Sequence, residues 1–403
     1  MKLMHAAAVI AVLWSGFAFA ATVGAGQLPR DSIIRSAEDL ERYLSETALG
    51  DSVLDAMPLG ARKRFLAQLR FGAGGLGGFG TADLKDTLTR TQIGDVLALF
   101  GLQRYGEQIQ GLATTRVPRD FESDFELRFD AFNTSLELQP APSAAGIGAS
   151  YRQLVDGREP IELARTLEPY DRALLFRAML RALQMDALPG QADQSQQVLA
   201  LMHSHAEDTP TQASELFYAL VALRKFDLAD QLAREYPEGG MSTLPVRAFA
   251  AEAKTGLNTI LQVSVDGRRL SRETVDLSHG LHIVVVAGCH FARDAATAIS
   301  ASPELDRLFH RRAIWLAPAS ERISDVAEWN RQLPSQPIQI AWAERNWQQI
   351  TSWEMPTFYV FRDGTLLTQW SGWAADSGMD TLRRRLQEAG VRLAPRPGVR
   401  EKS

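Results

Sequence analysis

The segment Leu281-His-Ile-Val-Val-Val-Ala-Gly-Cys-His-Phe-Ala292 limits the fold more than any other part of the chain. Its β-branched apolar run is too short for a helix of its own and reads as a buried strand. The strand should turn into a helix at Cys289. A thiol at that point faces unsatisfied backbone N–H groups and the positive end of the helix dipole, both of which favour thiolate. His290 and Arg293 add positive charge nearby, and Asp294 opposes it. Cys289 is the one cysteine in 403 residues, so this chain cannot cycle an internal disulfide.

Around this segment the chain alternates strands and helices. Residues 259–265 read as a strand ending in an Asp266-Gly267 turn, and 281–287 as the core strand. Ser302-Pro303-Glu304 carries a helix-start signal, with proline in the first turn. A strand at 313–316, a helix at 321–333 and a strand at 337–342 follow. Residues 355–370 read as two strands joined by Asp363-Gly364, ahead of a helix at 379–389. The order predicts an α/β unit that ends in an antiparallel hairpin.

Three of these features, in order, resemble the thioredoxin superfamily over 257–391. They are the strand-turn-helix bearing Gly288-Cys289-His290-Phe291-Ala292, the segment Met355-Pro356-Thr357, and the Asp363-Gly364 hairpin. The resemblance implies a cis peptide bond before Pro356, lying beside the thiol, with Met355, Pro356 and Thr357 forming the surface for an extended partner chain. Cys289 would be the attacking sulfur, with His290 promoting its thiolate. The chain departs from the family where a second cysteine would resolve the mixed disulfide, because Ala292 stands there. Ala287-Gly288 also replaces the tryptophan that usually precedes the motif. A resolving thiol would have to come from outside, as glutathione does for monothiol glutaredoxins.

The rest of the sequence is helical in pattern. Apolar residues recur at helical spacing between 31 and 70, as in Leu40, Tyr43, Leu44, Phe65, Leu66 and Leu69, and again over 83–105. A glycine cluster at 72–80 interrupts them and reads as a flexible loop, or as close helix packing across glycines, with Leu76 and Phe79 packing onto something. Its Gly75-Leu-Gly77-Gly-Phe-Gly80 spelling matches the dinucleotide fingerprint, but no strand-turn-helix unit surrounds it, so no nucleotide cofactor is expected. The Pro140-to-Gly148 stretch reads as a linker. Helices are expected at 172–185 and 194–205, with a helical hairpin over 213–236. That hairpin is similar to a tetratricopeptide-type unit but shows no recurring period.

Residues 1–20, with Lys2, an apolar run and the ending Ala18-Phe19-Ala20, read as a secretory signal peptide. Its loss would take the net charge from −5 to −6 by removing Lys2, and a chain without a basic block is a poor partner for nucleic acid or anionic lipid. Composition is that of a globular protein, 45% hydrophobic and 23% charged. His279, His282, Cys289 and His290 match no standard zinc spacing, so no metal is expected. Trp370 and Trp373 bracket Ser371-Gly372 and read as core or as a binding surface.

The expected architecture is a signal peptide (1–20), an N-terminal helical region (28–139), a helical-hairpin region (149–250), a thioredoxin-like α/β domain with a mixed central sheet (257–391) and a flexible tail (392–403). Two functions stay open. One is an exported, periplasmic or extracellular protein without a membrane span after cleavage, forming mixed disulfides through Cys289 with an envelope protein or a small thiol. The other is a non-catalytic envelope scaffold with a degenerate thioredoxin-like domain.

Overall fold

The computed structural model describes residues 34–48, 50–138, 143–185, 188, 190–249 and 258–393. The expected signal peptide, part of the expected linker (140–142) and the tail beyond 393 lie outside the described residues. The chain divides into two compact units, one comprising 1–220 with 227–242 and the other 221–226 with 243–403.

The first unit is mainly helical, in chain order α1 (Ala37–Glu46), α2 (Leu59–Ala67), the strands β1 (Arg70–Gly72) and β2 (Gly75–Gly78), then α3 (Ala82–Thr87), α4 (Arg90–Ala98), α5 (Gln103–Gly106), α6 (Asp124–Glu137), α7 (Ala144–Val155), α8 (Pro160–Thr166), α9 (Pro169–Gln184), α10 (Gln191–Ser204), α11 (Pro210–Ala222) and α12 (Phe226–Glu235). Several starts carry side-chain caps: the Ser36, Thr89, Ser123 and Ser143 side chains accept backbone N–H groups of the first turns of α1, α4, α6 and α7. Each such cap stabilises its helix by about 1 kcal/mol.

Three expectations are corrected in this unit. The glycine cluster forms the β1–β2 antiparallel pair rather than a loop, with Gly75 at φ 110 making the reversal. Leu76 and Phe79 are each 2% exposed, and the Phe79 ring meets Phe65 edge-on at 6.4 Å, so they fill this unit's own core. The expected linker is helix from Ala144 onward because Ser143 caps α7 and Ile147, Tyr151 and Leu154 are buried along one face. The single helical stretch over 83–105 is three helices, broken where Leu88 turns extended and where Gly101 adopts φ 73.

Charge is buried here in organised form. Arg64 donates to Asp83 (3.1 Å), both oxygens of Asp130 (3.0 and 3.1 Å) and Glu126 (2.9 Å). Arg119 bridges Glu126 (2.9 Å) and Asp171 (2.7 Å), and Arg177 reaches Asp83 (3.2 Å) and Asp86. Glu126 is fully buried against α2, where a Cβ on Gly60 would stand 2.0 Å from its Oε1, so only glycine leaves room for the carboxylate.

The second unit contains one mixed sheet. Its strands are β3 (Val246–Ala248), β4 (Thr259–Val263), β5 (Arg269–Thr274), β6 (Leu281–Val286), β7 (Ala313–Ala317), β8 (Ile338–Ala341), β9 (Thr357–Arg362) and β10 (Thr365–Ser371). Its helices are α13 (His290–Ser300), α14 (Pro303–Arg312), α15 (Ile323–Gln332) and α16 (Gly378–Glu388). The order across the sheet is β10-β9-β6-β7-β8-β4-β5-β3. β6, β7 and β8 run parallel, β9 is antiparallel to β6, and β10 returns beside β9. β4 is antiparallel to both β8 and β5. The sequence pattern missed β5, whose Arg269-Leu-Ser-Arg-Glu-Thr274 is too polar to read as a strand, and β3, which falls in the region expected to be helical.

Residues 283–286 of β6 are completely buried, so the strand is covered on both faces. On one face Val284 and Val286 join a core of Leu316, Trp347, Tyr359 and Phe361. On the other, Trp315 meets Phe309 of α14 at 6.1 Å and Trp329 of α15 at 5.8 Å. The buried indoles find acceptors: Trp315 donates to Gln336 Oε1, Trp329 to Gln336 O and Trp347 to Thr259 O. Buried Asn330 donates to Val263 O and Ile338 O and accepts from Ile338 N, tying α15 to β4 and β8. The β9–β10 turn has Asp363 at φ 50 and Gly364 at φ 76, the doubly left-handed geometry of a two-residue hairpin.

Candidate functional site

β6 ends beside β7, where Ala287 N donates to Leu316 O at 2.9 Å. The chain then leaves the sheet through Gly288 at φ 149 and enters α13 with Cys289 as its N-cap, at φ −85 and ψ 170. This extended cap conformation turns the first-turn N–H groups of α13 toward the Cys289 end. Those groups have no intrahelical acceptor, so the site is electrostatically suited to negative charge. The first turn of α13 contains no acidic residue.

Cys289 is half-buried, and its Sγ lies 3.5 Å from the carbonyl oxygen of Met355, to which it donates. The contact joins residues 66 positions apart in sequence. It is created by β6 and β9 being sheet neighbours, with Val286 paired to Thr357. The Met355–Pro356 bond is cis. Met355 is partly buried against the core cluster, and Pro356 is buried with its carbonyl accepting from Gly372 N at 2.8 Å.

The remaining sequence-derived residues occupy different settings. His290 is exposed, and its ring lies 3.8 Å from that of Phe291, which is itself 49% exposed. Together they form an aromatic rim at the helix start. Thr357 is 1% exposed and flanked by strands on both sides. Its hydroxyl donates to Glu354 O at 2.6 Å and lies 2.8 Å from Ser371 Oγ. That side chain braces the loop before β9.

The histidines considered as metal ligands do not converge. His279 Nδ1 lies 3.0 Å from Asp276, and His282 Nε2 lies 2.7 Å from the backbone oxygen of His279. Among the described residues no group of three or more His, Cys, Asp or Glu side chains is arranged to hold a metal. Trp370 stacks on Phe358 at 4.9 Å, and Trp373 lies over Gly378. These two tryptophans also line an open cleft of about 370 Å³ with Ser371, Gly372 and Thr381.

Sequence reasoning missed Glu321. It sits between β7 and α15, and the parallel pairing of β6 with β7 brings it to the end of the strand that precedes Cys289. Its Oε2 lies 2.4 Å from the point where a Cβ on Gly288 would stand, and Met355 Sδ lies 3.2 Å from the same point. Burial, then the neighbouring Asp325, pushes the Glu321 carboxyl up to about 7, against the lowering effects of the Arg322 backbone amide and the charges of Arg322 and Arg293. No local pattern marks this residue, because its proximity to Gly288 comes from strand pairing alone.

Comparison with protein families, with curated proteins and with solved structures finds no match to this chain.

Proposed function

We propose that this is an exported protein whose second unit is a thioredoxin-like domain acting through one thiol, Cys289, by forming mixed disulfides with a partner. The observation that carries the reading is the Cys289 sulfur at the N-terminus of α13, half-buried and 3.5 Å from the Met355 carbonyl. The order β8-β7-β6-β9-β10, with three parallel strands and a terminal antiparallel pair followed by α16, supports the same reading. An N-terminal segment with signal-peptide composition supports export. Among the described residues no helix is long and apolar enough to cross a membrane.

Cys289 attacks one sulfur of a partner disulfide. The S–H bond of Cys289 and the partner S–S bond break, a new S–S bond forms, and the leaving sulfur takes the proton. The Cys289 sulfur is oxidised and the leaving sulfur reduced. With no second cysteine in the chain, the adduct persists until an external thiol attacks it. Backbone groups of Met355 and the exposed rings of His290 and Phe291 form the surface that meets the partner.

The test is exposure of the reduced full chain to oxidised glutathione, followed by intact-mass measurement. The reading expects one adduct per chain, removed by a thiol reductant and missing in Cys289→Ser. A folded wild-type chain that gains no adduct contradicts it and leaves the second unit as a binding platform.

A further inference from the structure

The first unit has a cleft of its own, of about 290 Å³, between α3, the start of α11 and residues 105–110. Thr81 and Lys85, four residues apart, line the α3 wall, and Thr211 lines the α11 wall. Thr81 is 5% exposed and precedes α3 without capping it, and among the described residues its hydroxyl has no hydrogen-bond partner. The third wall carries Tyr105, Gln108 and Gln110, with Ile109 as an apolar patch. That wall is fixed by close packing. The Tyr105 ring meets Phe79 edge-on at 5.9 Å, Leu112 N donates to Leu88 O at 2.8 Å, and a Cβ on Gly111 would stand 2.1 Å from the same oxygen. The cleft is thus preformed, as ligand pockets usually are.

We propose that this cleft binds one ring of a neutral saccharide. Its three hydroxyls and two carboxamides each donate and accept hydrogen bonds, as sugar hydroxyls do. Tyr105 and Ile109 supply apolar surface for the C–H face of a ring. The volume lies near the lower limit of ligand pockets, about 300 Å³, which fits a single ring and not a longer chain. Among the described residues no carboxylate lines the cleft, and its one ammonium, Lys85 Nζ, lies 3.8 Å from Glu215 Oε1, one turn beyond Thr211 on α11. Burial pushes the Glu215 carboxyl up to about 7, with Lys85 lowering it, Asp86 raising it and Arg177 lowering it. At pH 8 the Lys85–Glu215 pair is ionised and its charges cancel, so an anion gains no net attraction there. The proposal makes no use of Cys289, and its outcome is separate from that of the glutathione experiment.

The test is saturation-transfer difference NMR on the full chain at about pH 8, above the Glu215 value. The probes are methyl β-glucoside, N-acetylglucosamine and glucose 6-phosphate, each titrated against wild type, Gln110→Ala, Thr211→Val and Gln153→Ala. At least one neutral sugar is expected to bind saturably with a Kd of about 1–10 mM, the affinity of a few hydrogen bonds in an open cleft. Gln110→Ala and Thr211→Val should each weaken that binding by about three- to tenfold, the share of one hydrogen bond. Gln110 is exposed and Thr211 half-buried, so both variants keep the fold. Gln153→Ala, at an exposed position of α7 outside the cleft, should leave binding unchanged. No transfer to either neutral sugar up to about 50 mM overturns the proposal. Binding that neither cleft variant weakens, or that Gln153→Ala weakens equally, places the sugar elsewhere and overturns it as well. Glucose 6-phosphate bound more than about tenfold tighter than the neutral sugars makes Lys85 an anion anchor and overturns the neutral reading.

Discussion

Gly288 condenses the local argument into one residue. Its φ of 149 lies where L side chains are strained, and a Cβ there would stand 2.4 Å from a carboxylate oxygen. Gly288→Ala should therefore destabilise the chain by about 2 kcal/mol, seen as a lower denaturant midpoint with an unchanged slope. An alanine variant as stable as wild type would mean that Glu321 moves aside without cost, and the crowding drawn here would be incidental. Cys289 was legible from sequence because its setting is local: a β-branched run, a glycine and the start of a helix. Glu321 was not, since nothing in Pro318-Ala-Ser-Glu321 distinguishes it from any solvated helix start. Thr357 was placed by the resemblance alone, and its burial and the hydroxyl's bonds to Glu354 O and Ser371 Oγ were not legible in the sequence.

Among the elements, those with a clean period or a strong turn signal were readable. β6 followed from its branched residues, the β9–β10 hairpin from Asp363-Gly364, and α9 to α12 from their apolar spacing. Elements held by partners were not. β5 is held as a strand by pairing with β4 and β3 despite its polar side chains, and the β1–β2 pair is written in glycines that carry no strand propensity. The ionic network in the first unit follows the same logic, since its arginines and acids lie far apart in sequence and look like ordinary surface charge. Arg64→Met should expose how much depends on it. Removing the guanidinium leaves Asp83 to Arg177 and Glu126 to Arg119 alone, and a cost of about 2–3 kcal/mol is expected in chemical denaturation. A loss below about 1 kcal/mol would place the pair in the class of screened surface contacts.

The whole molecule combines a helical unit held by buried charge with a sheet unit that carries one thiol at a helix end. The sequence pattern separated these two kinds of structure at the change from helical spacing to strand-helix alternation. It also indicated an α/β unit ending in a hairpin, which β6 through α16 realise. Among the described residues the sheet extends to β5 and β3, which was hidden because both lie outside that pattern. If the fold presents Cys289 for reaction rather than storing it, the half-buried sulfur is open to small reagents in the folded chain. This is tested most directly by the rate at which iodoacetamide modifies the reduced chain at neutral pH, folded and in denaturant. A folded rate comparable to the unfolded one is expected, because the sulfur is only half-buried at the start of α13. Protection of Cys289 in the folded chain, lifted only by unfolding, would contradict it.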